Sequence, residues 1–237
     1  MAINTTHRTS ASEIMDNFEL EGEELKDALD KIATINQLLG GNELTLQGVQ
    51  NLIDKISKSN EIVIVDVGCG NGDMLRTLAH FGIKNNLKFQ LIGIDANNFT
   101  VKHAQKLSEN YSNIRYRCED IFDEEFKTLK YDILLCTLTL HHFNNDEIRY
   151  LLDVFYTNAT TGIVINDLHR NPIAYRLFQA LCFVFRLNKM SREDGLISIL
   201  RGFKKEELVQ FSKKLNFKNY KIHWKWAFRY QWIISKI

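Results

Sequence analysis

An α/β fold built on a mainly parallel sheet is what this 237-residue sequence predicts, and two observations predict it. From residue 61 onward, short runs rich in β-branched residues alternate with helical stretches of ten or more residues. That is the pattern of strands joined by right-handed crossovers. The first run, EIVIV, leads into DVGCGNGD, residues 66–73, where three glycines at alternate positions are too costly for a regular element. The length suffices for one well-packed domain with a modest appendage.

Taken in order, the first sixty residues read as helical. Leu25, Ala28, Leu29, Ile32, Ile35 and Leu39 recur at helical spacing, and Gly40-Gly41 ends that run where a left-handed cap is needed. A second helix is expected after Thr45 as N-cap, with Leu46, Val49, Leu52, Ile53 and Ile56 on one side. Residues 1–59 would form a helical cap or lid on a domain spanning 60–237. Strands are expected at 61–67, 88–95, 113–120, 131–140 and 161–168, and helices at 72–82, 98–110 and 144–158. PIAYRLFQALCFVF, opened by the only proline, reads as a helix in an insertion at about 172–200. KNYKIHWKWAF and YQWIISKI read as a C-terminal hairpin. At strand spacing Ile222, Trp224 and Trp226 share one face and Lys221, His223 and Lys225 the other, a solvated sheet strand rather than a nucleic-acid surface.

Thirty basic residues against 29 acidic ones leave a net charge of +1, so the balance implies no general polyanion-binding face. The start lacks the basic and apolar blocks of a secretory signal, and no apolar run approaches the roughly 18 residues of a spanning helix. Cys69, Cys118, Cys136 and Cys182 show no CxxC spacing. They are read as reduced, with no metal site expected, in a cytoplasmic protein. Surface contact of the 172–185 helix with a membrane remains open, as does the oligomeric state.

A strand–glycine–helix turn at the carboxyl edge of a parallel sheet is where such folds bind ligands. Gly68, Gly70 and Gly72 allow a tight turn and close approach, and the next helix presents free N–H groups. Dinucleotide sites place a third glycine where this chain has Asp73, and Asp66 at the strand end would repel a pyrophosphate but hold an ammonium group. Both oppose a dehydrogenase. Asp95, in GIDAN, follows Gly72 by 23 residues, the distance at which an acid accepts from a ribose diol. In CEDIF, Asp120 can accept from an adenine amine while Ile121 packs on the ring. Ammonium, ribose and adenine sites in that order describe S-adenosylmethionine.

With these motifs the sequence resembles the class I methyltransferases over about residues 60–170. DVGCGNGD is similar to their first motif, GIDAN to the acidic loop, CEDIF to the adenine loop, and YDILLCTLTLHHF to the fourth strand with its active-site loop. SASEIMD, NDLHR and DGLISILRGF extend the likeness to bacterial small-molecule methylases of the quinol and phenol type, many in pigment or polyketide pathways of secondary metabolism. The resemblance implies a Rossmann-like, doubly wound sheet of seven strands in the order 3-2-1-4-5-7-6, the last antiparallel. It implies Asp66, Gly68, Cys69 and Gly70 at the methionine end of S-adenosylmethionine, Asp95 and Ala96 at the ribose, Asp120 and Ile121 at the adenine, and Thr137 and Leu138 near the methyl. The expected acceptor is a small aromatic molecule, and the expected product of the cofactor is S-adenosylhomocysteine.

The acceptor's proton must go somewhere. A phenol near pKa 10 and a histidine near 6.5 differ by about 5 kcal/mol if deprotonation came first, a cost that coupling to transfer reduces. His141 and His142 follow the fourth strand, and His169 lies in NDLHR beside the same edge; any of the three is a candidate base. Arg170 and Arg201 are candidate anchors for acceptor oxygens, Arg201 alternatively a salt-bridge partner of a lid formed by Arg8 and SASEIMD. O-methylation leads; C- or N-methylation and a non-catalytic cofactor-binding scaffold remain alternatives.

Overall fold

The computed structural model describes residues 3–56 and 61–237. The expected boundary at 59/60 lies outside the described residues. A short 3₁₀ turn (Ile14–Asp16) precedes α1 (Glu23–Leu38) and α2 (Gly41–Ile53). There follow β1 (Ile62–Val67), α3 (Asp73–Lys84), β2 (Phe89–Asp95), α4 (Asn98–Leu107), β3 (Ile114–Cys118), α5 (Glu124–Thr128), β4 (Tyr131–Thr137), α6 (Asn145–Asn158) and β5 (Ala159–Leu168). The chain ends with α7 (Pro172–Val184), α8 (Lys189–Arg201), α9 (Lys205–Lys214), β6 (Asn219–Lys225) and β7 (Arg229–Ser235).

The seven strands form one sheet in the order β3-β2-β1-β4-β5-β7-β6, as the resemblance implied. β7 runs antiparallel to both neighbours, whereas β1 to β5 pair in parallel. Alternate residues of each strand feed opposite cores. Ile62 and Ile64 of β1 join Leu75 and Leu78 of α3 and Val49 and Leu52 of α2 on one face. Val65 and Val67 join Phe126, Leu151, Phe155 and Phe211 of α5, α6 and α9 on the other. Burial of both faces explains why β1 reads as a continuous apolar run.

One sequence expectation, the cap of α2, needs correction. α2 begins at Gly41, so Thr45 is not its N-cap. Gly40, at φ +76°, both ends α1 and opens α2, and Thr45 bonds inside the helix to the Gly41 carbonyl. α2 covers β5 so closely that a Cβ on Gly48 would meet Val164 Cγ1 at 2.5 Å. The stretch expected as a helical insertion at about 172–200 holds α7 and α8, and α9 follows it. α8 escaped notice because it buries Ser191 and Asp194 alongside Met190 and Ile199, so it carries no clean apolar stripe. Local caps behave as their residues dictate: Asn171 accepts from the Ile173 N–H with Pro172 at the first helical position, and Asn144 with Glu147 forms a capping box on α6.

Candidate active site

A cavity of about 850 Å³ opens at the carboxyl edge of β1, β2 and β4 and is roofed by the 3₁₀ turn, α1 and α8. Its size lies high in the range of about 300–1,000 Å³ typical of small-molecule sites. Around it the structure brings together Asp66, Gly68, Cys69, Gly70, Asp95, Ala96, Asp120, Ile121, Thr137, Leu138, His141, His142 and His169.

One part of the wall is the glycine turn. Gly68 and Gly72 sit at φ +65° and +77°, the left-handed region, and a Cβ on Gly72 would lie 2.0 Å from the Tyr116 hydroxyl. Space beyond Gly70 is open: its Cβ would meet only Leu29 Cδ2, at 3.8 Å. Asp66 is 2% exposed, and its Oδ1 has no hydrogen-bond partner. Burial, helped by Asp73 and Asp95, raises its pKa well above the carboxylate range. An orphaned buried acceptor beside a bare backbone bend fits the ammonium of an amino-acid-bearing ligand. Burial likewise lifts Asp95 to about 6, although the N–H groups of Asn97 and Gly70 donate to it at 3.0 and 3.1 Å. Asp120 accepts from the Phe122 N–H, and Ile121 is buried beside it.

The other part of the wall is a histidine corner. His141 is 2% exposed; its Nδ1 lies 2.7 Å from Asp167 Oδ1 and its backbone N–H donates to Oδ2. Burial alone would raise Asp167, yet the charge and hydrogen bond of His141 hold it below the ordinary carboxylate value. Bonded to an ionised carboxylate, Nδ1 carries the hydrogen, and the lone pair of His141 sits on Nε2, which is buried without a partner. His142 repeats the arrangement with Nδ1 at 2.7 Å from Asp16 Oδ1. Burial pushes Asp16 up, but hydrogen bonds from His142 and Arg201 more than reverse this. Glu13 faces the Nε2 edges of both rings, whose centroids lie 4.4 Å apart, with Oε1 3.7 Å from His141 Nε2 and Oε2 3.9 Å from His142 Nε2. Burial lifts Glu13 to about 7 against the pull of His142, Ser198 and Arg201. Leu138, at φ +53°, lies in the same loop, a strained backbone of the sort that clusters at functional sites.

Three expected residues are placed differently. His169 lines the cavity, but its Nδ1 accepts from Trp224 Nε1 at 3.1 Å. In a neutral ring Nε2 must then hold the hydrogen, so His169 is a donor with no lone pair for a proton. Arg170 is fully buried away from the cavity and bonds the carbonyls of Thr5, Thr6 and Gly202 and the Glu207 carboxylate. Arg201 bonds Asp16 at 2.7 Å and the carbonyls of His141 and His142. With Arg8, whose Nη2 donates to the carbonyls of His141 and Phe143, it locks the N-terminal segment onto the corner. Both candidate anchors are thus spent on protein groups.

Sequence reasoning gave no role to Glu13 or Asp16, although SASEIMD was read as a lid. The signal was a pair of acids one 3₁₀ turn apart, and nothing local says which histidines they would meet. Leu177 and Phe178, on the helix read from the sequence as core or pocket, line the cavity, whereas the lining by Ile32 and Trp226 was missed because they read as ordinary helix-stripe and strand residues.

A seven-stranded sheet in this order, with a cavity at the carboxyl ends of its strands, is the Rossmann-like fold of methyltransferases. A family model for a methyltransferase domain matches residues 58–229, and the chain belongs to that family of S-adenosylmethionine-dependent methyltransferases. The carboxy-S-adenosyl-L-methionine synthase of Helicobacter pylori (strain HPAG1) is 21% identical over 188 residues, 75% of this chain and 76% of that protein. Among solved structures, the plantazolicin methyltransferase BpumL in complex with SAH aligns with a TM-score of 0.64 at 17% identity, covering 88% of this chain and 89% of that one. Magnesium protoporphyrin IX methyltransferase (ChlM) from Synechocystis PCC 6803 with bound SAM aligns at 0.55 and 15% identity, covering 93% and 88%. No helix among the described residues is long and apolar enough to cross a membrane.

Proposed function

We propose that this methyltransferase methylates a hydroxyl oxygen of a small phenolic or quinol acceptor, with His141 Nε2 receiving the proton. One observation carries the reading: a buried histidine whose Nδ1 is held by Asp167 and whose Nε2 is unpartnered at the wall of the cavity. When bound, the cofactor supplies an activated methyl on a sulfonium. Asp66 and the turn through Gly68, Cys69 and Gly70 would hold its methionine end, Asp95 and Ala96 its ribose, Asp120 and Ile121 its adenine, and Thr137 and Leu138 would line the cavity near the methyl. Asp167 fixes the His141 tautomer and steadies the imidazolium that forms. Glu13, 3.7 Å from Nε2 and lifted toward neutrality, is placed to relay the proton onward.

Apolar walls from Leu29, Ile32, Phe178 and Leu181 suit a neutral aromatic body and leave the histidine corner to find its hydroxyl. Such a lining favours an uncharged aromatic acceptor over synthesis of carboxy-S-adenosyl-L-methionine, the activity that the Helicobacter relative's name describes. Transfer of labelled methyl from S-adenosylmethionine to a panel of phenols and quinols tests the reading. An O-methyl product is expected. A product with a new C–CH₃ bond overturns the choice of oxygen, and cofactor binding without transfer to any acceptor points to a scaffold.

A further inference from the structure

We propose that Glu13, His141 and His142 form a three-ligand site for a divalent first-row ion such as zinc, with its fourth position open to the cavity. Their candidate ligand atoms all lie within 4.8 Å of one another. The 3.7 and 3.9 Å spacings between Glu13 and the two Nε2 atoms compare with about 3.4 Å between ligands of a tetrahedral zinc centre. A small rotation of His142, the more exposed ring, closes the set.

Four further features point the same way. Both rings present Nε2 to the same point because both Nδ1 atoms are tied to carboxylates, Asp167 and Asp16, the support that metal-bound histidines almost always have. Glu13 is itself steadied, its Oε2 accepting from the Ser198 hydroxyl at 2.7 Å. Two atoms aimed into the gap, Glu13 Oε1 and His141 Nε2, belong to side chains 6% and 2% exposed and have no hydrogen-bond partner. Buried polar groups left so cost free energy unless something bridges them. Charge sets the competition there: the Arg201 guanidinium lies 3.5 Å from Glu13 Oε1, against the Asp16 and Asp167 carboxylates that back the two rings. Two nitrogens and one carboxylate with an open position are the donor set of catalytic zinc.

The inference rests on the methyl-transfer reading of the same corner: where an ion is bound, it would take the lone pair of His141 and replace that ring as base, lowering the pKa of a hydroxyl at its open position, with the proton released to solvent. The site also lies outside what cysteine spacing can announce, which is why no metal was expected from the sequence.

The test is titration of chelator-treated full-length protein with zinc by calorimetry, and with cobalt(II) by its visible d–d bands. One ion per chain is expected, with an affinity that falls at least tenfold in Glu13→Gln and His142→Ala. Asp16→Asn, which touches no ion directly, should cost about 10–100-fold. His80→Ala and His223→Ala, both on the surface, should change nothing. S-adenosylmethionine titration of each variant shows that it remains folded. Absence of zinc heat and cobalt bands, or equal affinity in the Glu13 and His142 variants, overturns the site. Because cofactor binding and methyl transfer are measured separately, loss of the metal site leaves the methyl-transfer reading standing, and a bound ion without transfer does the converse.

Discussion

The glycine turn and the histidine corner share one cavity and are built in different ways. Everything the turn needs comes from one continuous stretch, residues 66–73, and from carboxylates at the next two strand ends. Its conformation is forced by residue type, since Gly68 and Gly72 lie where a Cβ would be both strained and in collision. The corner draws Glu13 and Asp16 from the N-terminal segment, His141 and His142 from the loop after β4, Asp167 from β5, and Ser198 and Arg201 from α8. None of these is unusual in its own neighbourhood. Binding machinery that is local can be read from a motif, whereas proton machinery assembled across the chain exists only after folding.

That contrast can be broken by substitution. His141→Ala should have the largest effect, lowering kcat by about 10²–10⁴ while the cofactor dissociation constant barely moves. Equal losses in both would place the corner in the cofactor site. Asp95→Ala should do the opposite, weakening the cofactor by about 1.5–3 kcal/mol in titration calorimetry, the worth of hydrogen bonds to a charged group, with a smaller change in kcat at saturation. Gly72→Ala should cost about 1–3 kcal/mol of stability in thermal melts, since the added methyl meets Tyr116 in a left-handed backbone.

Acidity sharpens the same comparison. Asp95 has its carboxyl lifted to about 6, so ionising it opposes folding of the ligand-free chain. Its stabilising effect is full below the ordinary carboxylate value and is lost as pH rises through 6. Cofactor binding needs the ionised form as acceptor and so strengthens over that interval. The gap between bound and free melting temperatures should therefore widen from pH 5 to 7, and narrow in its pH response in Asp95→Asn. The smallest effect is expected from His169→Ala, within about 0.5 kcal/mol in kcat/KM, because that ring is already engaged by Trp224. A hundredfold loss there would restore it as a base.

Much of the fold was legible before folding. Short apolar runs rich in β-branched residues marked β1 to β5, Pro172 opened α7 and the terminal hairpin stood at its expected place. What misled was a competition between local and distant needs. Thr45 looks like a cap, but Gly40 caps more cheaply and frees Thr45 to bond Thr137 across the sheet edge. Arg170 looks like an anchor at a pocket edge, yet the Glu207 carboxylate and the Thr5, Thr6 and Gly202 carbonyls surround its guanidinium completely. Arg201 could be read either way, and the salt bridge to Asp16 is the outcome.

By itself the sequence determined the parallel sheet, the left-handed glycine bend and the spaced carboxylates Asp66, Asp95 and Asp120, because periodicity and a missing Cβ act over a few residues. Tertiary structure alone decided which histidine keeps a free lone pair, that Glu13 faces the Nε2 edges of two imidazoles, and that the candidate arginines are occupied. Those outcomes depend on distances between side chains 126 or more residues apart in some pairs, such as His142 with Asp16, and no local preference encodes such a distance.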